Sequence, residues 1–501
     1  VRLQCMDSVR LSSRMALRSA CEGFAMSVYR QRFCALLLAF ALLPALSSSV
    51  GAAEVPAGSS GPRAQDAVDE WLAAFNAGSL DGLQAFADRY AKKAGSGPQD
   101  YLEFRASSGP MKVLDVRSSM PEKVEVLVLG ENSERAMLLT AEMDPAAPRH
   151  VKLFQLEGVP TPQQFQPARM ELPALLGELT ARLNALQAAD ALSGAVLVAH
   201  DGKVLMQWQG GLANREQRVP VDAQTQFRLA SSNKMFTAVA ILQLAEAGRL
   251  TLDDTIGKRL ADYPNEGVAG TVTIRQLLNH TSGLGDFFGD DFEHYAASLR
   301  THDDYVQHFA KDPPQFSAGS QDGYSNYGFI VLGRIIEVVS GQTYYHYVND
   351  HILRAAGMTA TGFEPESVDV PHRAPGYTRV KGQWLSETRS LPWRGTAAGG
   401  GYSTVGDMLK FAEALRAGTL VSPAWLQQAT RPQNNKGWYG YGFMVQGEGR
   451  QRQFGHEGGA PGSNSAIVVM PEQGYVLIGL ANVDPDAMGN VINYIARRVP
   501  L

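Results

Sequence analysis

The sequence predicts an α+β protein with two folded units, the larger an antiparallel sheet carrying a helical lobe. Three observations support this. The chain has 501 residues, more than one average domain holds. Two helix-period stretches followed by four strand-like segments lie in its first third, the order expected of an α+β unit. Strand pairs then stand at both ends of the remaining chain, with mostly helix and glycine-rich loop between them.

The first 53 residues read as an export segment apart from the fold. Arg30 and Arg32 precede the apolar run Phe33–Leu46, and small residues follow from Ser47 to Ala53. That is the order of a secretory signal, and the run is short for a bilayer span. Cleavage is expected after Ala52 or Ala53, and Met26 stands where such a signal starts, which makes residues 1–25 an over-extended start. Cys5, Cys21 and Cys34, the only three cysteines, all precede that point. The mature chain would have no disulfide and no thiolate ligand or nucleophile. A periplasmic or secreted protein without a membrane anchor is the expectation. The net charge of −5 lacks the basic footprint of a nucleic-acid binder.

Residues 54–65 are rich in Pro, Gly and Ser and read as a linker. In the first unit, residues 66–157, Val68, Trp71, Leu72 and Phe75 recur at helical spacing, and Leu80, Leu83, Phe86 and Tyr90 suggest a second helix. Strand patterns follow at 112–117, 123–129, 135–142 and 150–156. The order, and the wording "EWLAAFNAGSLDGL", resemble the SnoaL-like cone fold. The resemblance implies an accessory module, and a homodimer through this unit is one expected partnership. Residues 158–170 form a second linker. The main unit, 171–501, opens with a helix over 175–186. The pair Asp201-Gly202 marks a tight hairpin between strands 195–200 and 203–208. Strands at 465–470 and 475–480 and a helix over 486–498 close it. A cleft between sheet and helical lobe is the natural place for a site.

The chemistry centres on Phe227-Arg-Leu-Ala-Ser231-Ser-Asn-Lys234-Met, at the start of an apolar helix with Met235, Val239, Leu242 and Ala245 on one face. Lys234 lies one turn after Ser231 on the same side. A serine hydroxyl needs a base, and lysine serves only if burial or charge lowers its pKa. A helix start also favours negative charge on the serine oxygen. A chain of this length holds about one Ser-x-x-Lys by chance, so its neighbours decide. Tyr324-Ser-Asn326 precedes the helical pattern 329–339 and can bring a phenol and an amide to the same cleft. Tyr347-Val-Asn349 is a second such triplet, set inside a helix-like stretch where packing is the simpler role. Gly455-His456-Glu-Gly458-Gly459 reads as a glycine-rich strand edge whose N–H groups can stabilise an oxyanion; a bulge with an exposed His is the alternative. Phe287, Phe288 and Tyr295 suit an acyl pocket or the core equally. His302 and His308 lack metal-ligand spacing, and no His-Glu-x-x-His or Gly-x-Ser-x-Gly occurs. Neither metal nor cofactor is expected.

These three elements in this order resemble the β-lactamase-related serine hydrolases, among them class C β-lactamases, DD-peptidases, D-aminopeptidases and carboxylesterases. The texts "LLNHTSGL", "YSNYGFIVLGRIIEVVSGQTY", "AAGMTATGF" and "AGGGYSTVGDMLKF" match as well, so the resemblance covers 193–497. It implies a β-lactamase/transpeptidase-like fold and an acyl-enzyme mechanism on a small-molecule or peptide substrate. By the same resemblance Ser231 is the nucleophile, Lys234 its proton partner and Tyr324 the base. Asn326, His456 and Gly458 contact substrate, and the N–H groups of Ser231 and Gly459 form the oxyanion hole. Two departures stand out. His456 replaces the usual Lys, which removes a permanent charge for a substrate carboxylate and favours ester or amide substrates. Phe316-Ser-Ala318-Gly319 replaces Phe-x-Pro-Gly, which predicts a looser turn. The alternative is a non-catalytic protein of this type that binds cell-wall peptide or an acyl ligand.

Overall fold

The computed structural model describes residues 63–90, 97–289, 292–296, 298–380, 382–387 and 391–501. The expected export segment, the three cysteines and most of the first linker lie outside them. Contacts divide the chain into two units, with the boundary between Phe165 and Gln166. Among the described residues no helix is long and apolar enough to cross a membrane.

The first unit holds helices α1 (Ala64–Ala77), α2 (Leu80–Tyr90) and α3 (Pro98–Ser108) and the antiparallel meander β1 (Met111–Ser119), β2 (Lys123–Gly130), β3 (Ala136–Asp144) and β4 (Ala147–Gly158). Val68, Trp71, Leu72 and Phe75 are the buried stripe of α1, and Gly78 at φ 65° ends it, a conformation that suits glycine. In α2, Leu83, Phe86 and Tyr90 are buried, while Leu80 remains exposed. Helix α3 has no counterpart in the sequence reading. Only Ser108 of it is buried, so it carries no apolar stripe for periodicity to detect.

The second unit is built on a six-stranded antiparallel sheet of β5 (Gly194–His200), β6 (Lys203–Gly210), β7 (Met444–Gln446), β8 (Gln453–Ala460), β9 (Ser463–Met470) and β10 (Tyr475–Ala481), in the order β7-β8-β9-β10-β5-β6. Strand β10 pairs with β5, Leu477 opposite Val198, so the two ends of the unit close one sheet. Asp201 and Gly202 both have positive φ, 47° and 75°, the primed turn their sequence suits. Helix α4 (Leu172–Ala188) buries Leu175, Leu179 and Leu183 against one face. There they meet Val196, Val198 and Leu477, together with Ile492 and Ile495 of the last helix, α8 (Ala487–Ala496). The opposite face presents Ala195, Leu197, Ile467 and Ile478 to the helical lobe. Alternation along each strand thus serves two cores.

The lobe's central element is α5 (Lys234–Glu246). The expected one-sided apolar face is corrected here. All residues from Lys234 to Leu242 are buried, since the helix runs through the middle of the lobe, where an all-round apolar surface belongs. Around it stand α6 (His302–Phe309) and α7 (Asn326–Ser340). Ser325 caps α7, its Oγ accepting from the Gly328 N–H at 2.8 Å, a common N-cap bond.

Candidate active site

Ser231 lies in a 3₁₀ turn, Ala230–Asn233, that leads into α5. Ala230 holds φ 44°, an uncommon conformation for a residue with a Cβ. The turn is pinned to the sheet. Ser232 Oγ donates to the His456 carbonyl at 3.2 Å and lies 2.7 Å from Ser465 Oγ, and Ser465 Oγ donates to the Leu229 carbonyl at 2.7 Å. Gly458 makes this approach possible. A Cβ there would stand 2.2 Å from the Leu229 oxygen and 2.9 Å from the Ser231 nitrogen, closer than any side chain tolerates. Gly459 sits beside it, with Pro485 filling the space a Cβ would take. β7 pairs with β8 only as far as Gly455, so the Gly458–Gly459 stretch lies beyond that pairing.

Lys234 is fully buried, and its Nζ has three neighbours. It donates to Asn326 Oδ1 at 2.7 Å and to the Ala398 carbonyl at 2.5 Å, and lies 3.3 Å from Ser231 Oγ. Burial lowers its pKa to about 7, against a smaller upward pull from Asp286. The geometry tells what the neutral amine does. An –NH₂ has two hydrogens and one lone pair. The two oxygen acceptors take the hydrogens, and the lone pair is left facing the serine hydroxyl.

Asn326 is held in turn: its Nδ2 donates to Asp286 Oδ2 at 2.7 Å. One Nδ2 hydrogen and one Oδ1 lone pair are thereby used inside the protein, and Asn326 orients Lys234. Burial pushes the Asp286 carboxyl up, while the Phe288 N–H, the Asn326 amide and the Lys234 charge pull it back. Replacing it by Asn keeps an acceptor for Asn326 and removes the charge that raises the Lys234 pKa. The acid limb of the rate–pH profile is then expected to move to lower pH, by up to about one unit, with the plateau within about threefold. A limb that stays put or moves up, measured on kcat/KM, would contradict this geometry.

Tyr324 stands beside both residues. Its ring centroid is 4.8 Å from Lys234 Nζ. Burial raises the phenol pKa, against a lowering hydrogen bond from Ser231, so it is un-ionised at neutral pH. His280 backs the ring, with centroids 4.2 Å apart, and is held by the Ser325 N–H donating to its Nδ1 at 3.1 Å. The rival triplet lies elsewhere: Tyr347 is in a short helix and packs on His351.

His456 is buried at 1% exposure. Its Nδ1 lies 2.5 Å from the Glu457 carbonyl and its Nε2 2.8 Å from Tyr439 Oη. A carbonyl only accepts, so Nδ1 carries the hydrogen and Tyr439 donates to Nε2. Burial lowers the His456 pKa to about 3, with the Lys234 charge adding to the effect. The third motif therefore brings no cation to the site at neutral pH, and the imidazole reaches a substrate only by giving up Tyr439. Phe287 is core, whereas Phe288 is 43% exposed. The turn at Phe316–Gly319 is not loosened by its missing proline: the Gly319 N–H donates to the Thr281 carbonyl at 2.7 Å and the Gln315 N–H to the Gly283 carbonyl at 2.8 Å. Among the described residues no cluster of three His, Cys, Asp or Glu side chains could hold a metal ion.

The sequence brought Ser231, Lys234, Tyr324 and Asn326 forward, and the structure gathers them within one network. It adds Asp286 and the Ala398 carbonyl. Asp286 lies just past "HTSGL" and has no spacing signal toward Lys234, and a backbone oxygen has no sequence signature.

Comparison with known proteins agrees with this architecture. Residues 179–499 match the family model described as Beta-lactamase. The chain is 32% identical over 316 residues to penicillin-binding protein 4* of Bacillus subtilis, spanning 59% of this chain and 69% of that one. It spans about two thirds of the length of the curated relatives it matches. The crystal structure of a penicillin-binding protein from Bacillus halodurans aligns with a TM-score of 0.57 at 32% identity, over 62% of this chain and 98% of that one. A D-amino acid amidase from Ochrobactrum anthropi SV3, complexed with L-phenylalanine amide, aligns with a TM-score of 0.54 at 25% identity, over 65% and 97%. The family match runs from α4 past the end of α8 and so encloses the closed sheet, the Ser231 turn and the cage around Lys234, and the chain belongs to the beta-lactamase family of serine hydrolases.

Proposed function

We propose that this chain hydrolyses an ester or amide bond through an acyl-enzyme on Ser231. The observation that carries the proposal is the setting of Lys234, a buried amine with two fixed acceptors and its remaining position toward Ser231 Oγ. Lys234 takes the hydroxyl proton as Oγ attacks the substrate carbonyl carbon. The carbonyl electron pair moves onto its oxygen, which the N–H groups of Ser231 and Gly459 stabilise. Collapse breaks the bond to the alcohol or amine, which leaves with the proton from Lys234. Tyr324, un-ionised and hydrogen-bonded to Ser231, steadies the hydroxyl instead of starting the attack. Water, deprotonated by Lys234, then attacks the acyl carbon and frees Ser231.

The missing cation at His456 favours substrates without an obligatory carboxylate, hence esters and neutral amides before β-lactams. Relatives named as penicillin-binding proteins and a D-amino acid amidase support acyl chemistry of this kind. We also propose export, supported by the charged, apolar and small-residue order of the first 53 residues. The test is incubation with a fluorophosphonate probe and a chromogenic short-chain ester. Label at Ser231 with ester turnover is expected. Folded protein that neither labels nor turns over would overturn the proposal in favour of a binding role.

A further inference from the structure

We infer that His302, on α6, is a positioning residue for this site, acting on Lys234 through the Ala397–Ala398 backbone; the inference rests on the hydrolase function proposed above. His302 is 2% exposed, and both its ring nitrogens are engaged. The Ala397 N–H donates to Nε2 at 3.0 Å, and Nδ1 lies 3.1 Å from Glu337 Oε1. A backbone N–H can only donate, so Nε2 carries no hydrogen and Nδ1–H donates to the carboxylate. The geometry thus fixes one tautomer. Glu337 is itself held on α7, accepting from the Tyr344 N–H at 3.2 Å and from Arg334 at 3.5 Å.

What this relay holds is the segment that feeds Lys234. Ala397 is gripped on both sides: its N–H by His302, and its carbonyl by Thr237 Oγ1, which donates at 2.7 Å. The next carbonyl, that of Ala398, takes a Lys234 hydrogen at 2.5 Å. Releasing the Ala397 N–H would leave a buried donor unpaired and remove one of the three holds on this segment, the others being Thr237 Oγ1 on the Ala397 carbonyl and Thr396 Oγ1, which accepts from the Ala398 N–H at 3.2 Å. With that oxygen displaced, Asn326 Oδ1 alone orients the amine, and one acceptor does not fix where its lone pair points. The neighbourhood is shaped for this contact. Gly333 on α7 faces it, and a Cβ there would stand 2.6 Å from Ala397 Cβ and 3.0 Å from His302 Nε2. A glycine in mid-helix costs stability, and here it admits the His302–Ala397 pair.

Two substitutions separate the two nitrogens. In His302→Gln the amide oxygen reaches the Nε2 position, so the Ala397 N–H keeps its acceptor while Glu337 loses its donor. In His302→Asn the amide nitrogen reaches the Nδ1 position, so Glu337 keeps its donor while Ala397 is released. Both are measured for ester kcat and KM, for fluorophosphonate labelling rate at Ser231, and for thermal midpoint. His302→Gln is expected to keep kcat and labelling within about threefold, and His302→Asn to lose about tenfold or more in both with KM little changed. Stability should run the other way or tie, because His302→Gln takes one of three donors from a mostly buried carboxylate. A purely structural histidine would make activity follow stability. If the variants are equally active, or if activity tracks the midpoint, the inference falls while the hydrolase reading stands. If wild-type protein neither labels nor turns over, both fall.

Discussion

Ser231→Ala is expected to lower ester turnover by about 10⁴-fold or more and to abolish fluorophosphonate labelling, with a melting midpoint within about 2 °C of wild type. The separation of activity from stability follows from what the hydroxyl touches. Ser231 is 9% exposed, and its Oγ contributes only the longest of the three Lys234 contacts, 3.3 Å. Removing it leaves Asn326 Oδ1 and the Ala398 carbonyl in place. The turn is anchored by Ser232 and Ser465 instead. One weak hydrogen bond is worth about 1 kcal/mol. The proposed nucleophile, by contrast, has no substitute next to it: Ser232 is fully buried and committed to the sheet. Turnover persisting in folded Ser231→Ala protein would place the nucleophile elsewhere.

Lys234→Ala is expected to cost about 10²- to 10⁴-fold in kcat, the usual range for a general base. It should also erase a pH dependence that wild type shows. With its pKa lowered to about 7 by burial, Lys234 becomes a base as pH rises through that value. Wild-type kcat/KM should therefore climb through about pH 7 and level off above it. Lys234→Arg is the sharper variant, because guanidinium stays charged: it retains a cation and loses the base. An electrostatic role alone would let Lys234→Arg keep most activity, and would make the wild-type rate fall with rising pH. Tyr324 cannot take over as the starting base, since burial holds its phenol above its ordinary pKa.

Much of this protein can be read along the chain because the deciding interactions are short-range. Leu175, Leu179 and Leu183 recur at one helical face, Asp201-Gly202 suits a primed turn, and Val196 and Leu197 alternate between two cores. Ser231 and Lys234 are three residues apart, so any helical start brings them together. Helix α3 escaped because Tyr101, Leu102 and Phe104 pack half-buried on the core without forming one stripe, and the all-round burial of α5 escaped because periodicity reports a face and not what surrounds it. His456 was expected to meet substrate, yet its ring nitrogens are spent on Tyr439 and its own strand.

What gives the Ser231–Lys234 pair a chemical character comes from far along the chain. The Lys234 amine meets Asn326 and Ala398, 92 and 164 residues away, and His302 meets Ala397 across 95. Residue types along the chain determine which groups can serve as nucleophile and base, since that is covalent chemistry and helical spacing. Only the closed lobe decides that the lysine is dry enough to lose its proton near neutral pH and that two oxygens aim its lone pair. Desolvation and orientation depend on every atom packed around the amine, and packing exists only once the chain has folded.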